Sequence, residues 1–533
     1  MWEITHAARN TWALALALLA ISLKPYGFML KCFLLWMRVL ASTARTIKHE
    51  LMHRSIHDIP GPIPFPIIGT QWIYNKYLGK YKISKVHEAY ESMFSEYGQV
   101  FREEAFLNYP VIHICSSDDI KTISTATTLY PIRPPIGIVC HFRKEKTEWY
   151  KDSGITNLQG KEWHTLRSNT TADLFKLRVI RNLLPELNDI ALAYTQELDK
   201  MRNPDTGRVQ DIIELNRKLG FESTCLLGIG LRAGLLEDEL DPRAKKLSEA
   251  TNSFFEALNT DSFSLPLWKW KLFNNKFYKP SNYVKLCKAE TDLYEVISEY
   301  LEETKLRISE SSDQPSAIDV IPRNIINNTN LDQRVKNSSI ADFVSAGMNT
   351  VGNTLSLLLY HIAKTPDVQK NLYKEICNEL QPNEDITPGF LKKAKYLDAC
   401  LKEYYRMTPT APHIARILDQ DRTLSGYHVP KGTAILCHTR IACKNWRYFS
   451  EPDKFIPERW TDNKRQEHGH LVCPFGFQRR ICPGQQFSEQ TLKVFVTSIV
   501  RRFDVRCEQE LELESKFLLA PVGPLAMVFR DRN

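Results

Sequence analysis

Hydrophobic and polar positions along the chain predict a mainly α-helical protein with small β-sheets. Apolar residues recur at helical spacing in several stretches, which are 87–97, 177–201, 209–227, 243–258 and 284–307. The alternation typical of strands is confined to shorter segments, which are 100–106, 110–115 and the hairpin-like stretch 419–437. This pattern excludes a large sheet and a repeat protein.

A further helix is predicted over 338–365. It is apolar on all sides, which indicates a buried position, and Pro366 follows its end. The polar stretches 309–314 and 324–330 predict surface loops.

The most apolar segment, 11–40, lies near the N-terminus. A membrane-spanning helix needs about 20 mostly apolar residues, but Lys24 and Pro25 interrupt this segment. The pattern predicts an N-terminal membrane anchor or targeting segment over 1–57. Both an endoplasmic-reticulum anchor and a mitochondrial transit peptide remain open, while a cleaved secretory signal fits less well.

Residues 58–70, reading DIPGPIPFPIIGT, follow this segment and contain four prolines. Proline stiffens the backbone, so this stretch predicts a hinge that orients a catalytic domain against a membrane. The alternative is an ordinary linker. Residues 71–533 then form one large predicted domain without repeats.

Composition narrows the function only slightly. The net charge of +8 comes from scattered basic residues, which does not indicate nucleic-acid binding. The twelve cysteines are spread singly, with no C-x-x-C pair, which is typical of reduced thiols. One of them, Cys482, has an unusual sequence context.

Cys482 lies in a loop over 474–484 that reads PFGFQRRICPG, and we call this stretch the cysteine loop. Glycine and proline allow the backbone to approach a bound group closely, and a thiolate held there can be the single protein ligand of a haem iron. The alternative for a lone cysteine is a buried packing residue. The aromatic Phe475 can shield the sulfur.

The cysteine loop resembles the haem-binding signature of the cytochrome P450 family, Phe-x-x-Gly-x-Arg-x-Cys-x-Gly. Phe475, Arg480, Cys482 and Gly484 match it, whereas Gln478 stands where the family has glycine. The resemblance implies the P450 fold, haem b as cofactor and Cys482 as the iron ligand. Because a left-handed turn costs a non-glycine residue conformational energy, we expect Gln478 to weaken haem retention.

A second similarity to the family is the Glu-x-x-Arg pattern formed by Glu403 and Arg406. Residues three apart share a helix face and can pair. The resemblance implies a buried triad with Arg459, in FIPERW, that holds the segment before the cysteine loop. The alternative is a solvated surface pair.

The family pattern also implies a set of residues that bind the haem propionates. Trp163 and Arg167 lie one helical turn apart, and both carry N–H donors that suit a carboxylate. Arg416 and Arg480 complete the set. His413 is read as a pocket or surface residue rather than a second iron ligand.

The middle of the predicted 338–365 helix resembles the oxygen-activation helix of the family. Gly347 and Thr350 match the pattern, and Asn349 replaces the usual acid. An amide can orient water but cannot titrate, so proton delivery is expected to depend on Thr350 and water. The alternative is a buried helix with a tolerated glycine.

Several strings, including YPIRPP (130–135) and FLLAP (517–521), are similar to the mitochondrial clan of this family, and within it to ecdysteroid hydroxylases. The resemblance implies a monomeric, membrane-associated monooxygenase, favoured to lie at the matrix face of the inner mitochondrial membrane. It would use O2 and NADPH electrons, delivered by a reductase and an adrenodoxin-like ferredoxin, to convert ecdysone to 20-hydroxyecdysone. A xenobiotic or lipid monooxygenase and a low-turnover haem protein remain open.

The family layout also suggests contact surfaces. Gln485 and Gln486 stand where related enzymes often have basic residues, which predicts weaker ferredoxin docking. The predicted docking residues are Lys392, Lys393, Lys395, Lys402 and Arg479, for which the alternative is a solvated helix face. The predicted substrate-contacting regions are 132–142, 254–270, 342–350, 410–414 and 518–522.

Overall fold

Helices make up most of the structure, a computed structural model, and the predicted class of mainly α with small sheets is confirmed. The structure describes residues 54–126, 128–237, 241–262, 266–269, 274, 279–310, 316–461 and 467–532. The apolar segment 11–40 therefore lies outside the described residues. Among the residues described, no helix combines the length and the hydropathy needed to cross a membrane.

The α-helices, in chain order, are α1 (Val86–Tyr97), α2 (Ser117–Ser124), α3 (Gly137–Glu145), α4 (Gly160–Thr171), α5 (Leu177–Arg181), α6 (Leu184–Met201), α7 (Ile212–Ile229), α8 (Pro242–Ser262), α9 (Ser281–Glu310), α10 (Val320–Ile326), α11 (Gln333–Lys364), α12 (Pro366–Glu379), α13 (Pro388–Lys393), α14 (Lys395–Met407), α15 (Thr439–Cys443) and α16 (Gln485–Arg502).

The strands are β1 (Arg54–Ser55), β2 (Val100–Ala105), β3 (Tyr109–Ile114), β4 (Arg208–Val209), β5 (Ile414–Ile417), β6 (Arg422–Leu424), β7 (Tyr427–Val429), β8 (Ala434–Cys437), β9 (Phe503–Arg506), β10 (Leu513–Lys516), β11 (Leu518–Pro521) and β12 (Met527–Asp531).

The chain divides into two compact units. In the described part of the first, 54–59 and 421–430, the strands form a sheet in the order β1-β7-β6. The second, 60–420 with 431–532, contains the sheets β2-β3-β8-β5, β4-β12-β9 and β10-β11. The boundaries predicted from sequence, 1–57, 58–70 and 71–533, stay a prediction.

Two helix predictions differ from the structure for local reasons. The predicted helix 177–201 is divided into α5 and α6, because Pro185 in the first turn of α6 has no N–H to continue a preceding helix. The predicted loop 324–330 is wrong at its start, since α10 continues to Ile326 with Ile325 buried inside it.

The helix predicted over 338–365 is α11, which is longer and begins at Gln333. The Asp332 carboxylate caps its start by accepting a hydrogen bond from the Arg334 N–H at 2.9 Å. From Ser338 to Ala363 most of its side chains are buried, as the apolar pattern predicts. This helix packs along α7 within the main hydrophobic core.

Candidate active site

The cysteine loop folds back on itself around one short 3-10 turn, Gln478–Arg480. The Cys482 N–H donates to the Phe475 carbonyl at 2.8 Å, which closes the loop. Gly476 has φ of 80°, a left-handed conformation that glycine adopts without a steric cost. Gln478 is also left-handed, with φ of 61°, in the position where the family signature has glycine.

Cys482 is half-buried, and its thiol lies near two cationic side chains. Burial raises the pKa of this thiol, while the Gly484 backbone N–H and then the Arg167 and Arg133 guanidiniums lower it. Phe475 packs edge-on against Tyr405, with ring centroids 5.4 Å apart. The site therefore holds the sulfur in apolar surroundings that contain the positive charge a bound thiolate needs.

Arg133 and Arg167 belong to a group of four arginines that interact electrostatically with one another, and we call this group the arginine cluster: Arg133, Arg167, Arg416 and Arg480. Burial lowers the pKa of each guanidinium, to about 10 for Arg167 and Arg416 and about 9 for Arg480, and repulsion among the four lowers the last three further. Sequence reasoning missed Arg133, which lies in YPIRPP and donates to the Thr156 carbonyl at 2.9 Å.

Backbone carbonyls hold the arginine cluster in place. The Arg416 guanidinium donates to the Phe477 carbonyl at 2.7 Å, and that of Arg167 donates to the Ile481 carbonyl at 2.5 Å. Arg480 donates to the carbonyls of Pro131 at 2.9 Å and Leu158 at 2.6 Å. Carbonyl acceptors carry no charge, so these hydrogen bonds do not neutralise the guanidinium charges.

The arginine cluster fits the carboxylates of a haem. The Arg416 Nε and the Arg480 Nη1 are buried and have no hydrogen-bond partner among the described residues. Buried donors without partners are costly, and two propionates would supply both acceptors and negative charge. Trp163 packs near two of these cations, with the Arg480 guanidinium 3.9 Å and the Arg167 guanidinium 5.5 Å from its ring centroid.

Glu403, Arg406 and Arg459 come together as one buried network. The Glu403 carboxylate accepts from Arg406 Nε at 3.0 Å and Nη2 at 2.9 Å, and from Arg459 Nε at 3.0 Å. It also accepts from the Trp460 indole at 2.8 Å and the Ile456 N–H at 3.0 Å, donors that sequence reasoning did not assign. Both Glu403 and Arg406 have no exposed surface, which excludes the alternative of a solvated pair.

The Arg406 guanidinium extends the network beyond α14. It donates to the carbonyls of Cys443 at 3.2 Å, Pro452 at 2.7 Å and Lys454 at 3.0 Å. This one side chain therefore connects the helix to the segment that precedes the cysteine loop.

On α11 the Thr350 hydroxyl donates back to the helix, with the Ala346 carbonyl at 2.9 Å and the Gly347 carbonyl at 3.0 Å. Asn349 is buried. A Cβ on Gly347 would lie 2.5 Å from the Thr224 methyl of α7, so glycine here has a packing reason besides the predicted approach of dioxygen. Its part in oxygen activation stays a prediction.

The predicted docking lysines and Arg479 are exposed. Lys393 pairs with Glu379 at 2.8 Å, and the Gln485 amide donates to Glu489 at 3.0 Å. His413 is half-buried, and its ring packs against Tyr90 and His438.

Comparison with known proteins agrees with this geometry. The cytochrome P450 family model matches residues 59–525, so the chain belongs to the cytochrome P450 family. It is a P450 monooxygenase, a class that carries a haem-thiolate cofactor and uses O2 and redox partners.

Among its relatives, ecdysone 20-monooxygenase of Drosophila melanogaster is 36% identical over 90% of this chain and 89% of its own. The mitochondrial cytochrome P450 302a1 of the same fly is 28% identical over 89% of this chain and 95% of its own. The mitochondrial 1,25-dihydroxyvitamin D(3) 24-hydroxylase of Mus musculus is 26% identical over 90% of each chain.

Proposed function

We propose that this monooxygenase hydroxylates ecdysone to 20-hydroxyecdysone. The observation that carries the proposal is the 36% identity to an ecdysone 20-monooxygenase over 90% of the chain. In the balanced reaction, ecdysone, O2, NADPH and a proton give 20-hydroxyecdysone, water and NADP+.

The proposed cofactor is haem b, which when bound supplies the activation of dioxygen. Cys482 would bind the iron, and the Phe475 ring would keep water from the sulfur. The arginine cluster and Trp163 would bind the propionates. Support comes from the unpartnered donors of Arg416 and Arg480.

Thr350 and Asn349 would bind and orient the water that delivers protons. The Thr350 hydroxyl donates to α11 carbonyls, so its oxygen is available to accept a hydrogen bond from water. The Asn349 amide would orient that water without titrating. Gly347 would let α11 approach the reacting oxygen closely.

The proposed electron donor is an adrenodoxin-like ferredoxin that is reduced by an NADPH-dependent reductase, and the catalytic unit is proposed to be a monomer. Lys392, Lys393, Lys395 and Lys402 are exposed on and beside α13 and α14, and Arg479 is exposed in the cysteine loop. Such a basic face suits an acidic partner.

The proposed location is the matrix face of the inner mitochondrial membrane, with membrane association through the N-terminal region. Support comes from the two relatives whose names include "mitochondrial". The test is imaging of a tagged full-length chain followed by protease protection. A tag in the endoplasmic reticulum would contradict this location.

The function is tested by incubating the haem-loaded protein with ecdysone, NADPH, ferredoxin and its reductase, and measuring products by mass spectrometry. We expect 20-hydroxyecdysone, formed only when all components are present. Broad oxidation of unrelated lipophiles without this product would favour a xenobiotic enzyme. A spectrally intact haem protein without turnover would favour a low-turnover haem protein.

A further inference from the structure

Gln478 makes two side-chain hydrogen bonds that a glycine in its place could not make. Its amide nitrogen donates to the Ile123 carbonyl at 2.9 Å and to the Ala126 carbonyl at 2.7 Å. Ile123 lies in the last turn of α2, where a helix leaves its carbonyls without intrahelical partners. The side chain therefore satisfies backbone acceptors of a segment more than 350 residues away in sequence.

The backbone of Gln478 is in a conformation that disfavours this residue. At φ of 61° the side chain crowds the following carbonyl, whereas glycine has no such contact. A non-glycine residue persists in such a position when other interactions compensate, and the two amide hydrogen bonds are such interactions.

Arg480, in the same 3-10 turn, binds the same segment further along. Its Nε donates to the Pro131 carbonyl at 2.9 Å. The two side chains therefore bind residues 123–126 and Pro131, which together we call the connector. Arg133 of the arginine cluster follows the connector by two residues.

We propose that Gln478 is a positioning residue. Its two hydrogen bonds hold the cysteine loop against the connector and so fix the position of Cys482 relative to Arg133. The consequence for catalysis rests on the proposed role of Cys482 as the iron ligand, whereas the hydrogen-bonded contact between the two segments does not. In this interpretation, glutamine at the family's glycine position gives up backbone freedom, and its side chain instead joins two segments of the chain by hydrogen bonds.

The test uses three variants of the haem-loaded full chain. Gln478→Glu keeps the length and shape of the side chain but removes the N–H donors. Gln478→Gly relaxes the backbone but removes the side chain. Gln478→Asn tolerates the left-handed conformation but is one methylene too short. Gln196→Glu, at an exposed position of α6, is the control for added negative charge.

Hydrogen–deuterium exchange measures directly whether Gln478 holds the two segments together. We expect amide exchange at 116–126 and 474–482 to rise by roughly tenfold in all three variants, the size expected for losing two hydrogen bonds. Exchange in α12 should not change, which separates a local effect from general destabilisation. Equal exchange in Gln478→Gly and the wild type at both segments would overturn the proposal.

A second readout tests the position of the sulfur. In Gln478→Glu, the fraction of the reduced carbon monoxide complex with the thiolate-type Soret band should fall, while Gln196→Glu keeps it. An unchanged fraction would overturn the positioning role. If the exchange and spectral changes occur but the protein does not hydroxylate ecdysone, the substrate assignment fails and the positioning role stands.

Discussion

At the residue scale, the buried Glu403 carboxylate shows how much one side chain can organise. Five donors, from Arg406, Arg459, Trp460 and the Ile456 backbone, converge on its two oxygens. Hydrogen bonds to an ionised group are stronger than neutral ones, and the Glu403 side chain has no exposed surface. Removing the carboxylate charge would leave the Arg406 guanidinium buried without a counterion.

We therefore expect Glu403→Gln to lower the free energy of unfolding by about 3–5 kcal/mol, as for other broken buried ion pairs. Urea unfolding of the haem-loaded protein measures this. The matched control is Glu379→Gln, which removes the exposed pair with Lys393 and should cost less than about 1 kcal/mol. Similar losses in the two variants would contradict the structural importance of the network.

Cys482 allows a second test with a nearby control. In Cys482→Ser the reduced carbon monoxide complex should lose the thiolate-type Soret band, because a serine hydroxyl does not provide the same ligand. Cys473→Ser changes a cysteine just before the loop, whose thiol donates to the Leu471 carbonyl at 3.6 Å, and should keep the band. A retained band in Cys482→Ser would exclude Cys482 as ligand.

At the element scale, the contact between α7 and α11 depends on the absence of side chains. A Cβ on Gly220 would lie 2.4 Å from the Met348 carbonyl oxygen, and one on Gly352 would lie 2.7 Å from the Asn216 carbonyl oxygen. The backbones of α7 and α11 therefore approach each other closely at these positions.

We expect Gly347→Ala to lower the free energy of unfolding by about 1–3 kcal/mol through overpacking against Thr224. The double variant Gly347→Ala with Thr224→Ala should recover much of this loss, because the second change removes the atoms in the way. Chemical denaturation of the four proteins in this cycle measures the coupling.

Gly389→Ala is the control, since a Cβ there would meet no atom closer than 3.6 Å. Independent, additive effects at positions 347 and 224 would contradict direct contact.

At the scale of the whole molecule, buried histidines connect stability to pH. Burial lowers the pKa of His87, His361 and His413 to about 4 each. The unfolded chain binds protons near pH 6.5 and the folded chain only near pH 4, so stability is lost as the pH falls through this window. Above pH 6.5 the full stabilising contribution of these three neutral histidines is present.

The variant His361→Gln tests whether stability is lost in this direction, as the pH falls. The His361 imidazole lies 2.8 Å from the Thr408 hydroxyl and stacks on Phe455, and glutamine can keep the hydrogen bond without titrating. We expect the variant to lose less stability than the wild type between pH 6.5 and pH 4, by about 1–3 kcal/mol. Denaturant midpoints measured across that range decide it, and parallel curves would contradict the prediction.

Much of the fold and part of the site follow from short-range patterns. Helix periodicity predicted α1, α8 and α9 to within a few residues, because burial on one face requires that spacing, and α11 was predicted from a long apolar stretch followed by Pro366. The pair Glu403 and Arg406 could be found because both residues lie on one helix face, and the cysteine loop because its residues are contiguous.

Other features were decided only by tertiary structure, because they join residues far apart in the chain. Arg133 comes near Cys482, the Trp460 indole donates to Glu403, and Thr224 fills the space at Gly347. Nothing in the local sequence around these residues specifies such partners.

Gln478 illustrates the division best. The sequence shows that glutamine replaces the family's glycine, and the energy cost of its backbone conformation can be judged locally. We therefore expected this residue to weaken the site. The two hydrogen bonds that offset this cost come from Ile123 and Ala126, and folding alone brings those carbonyls within reach.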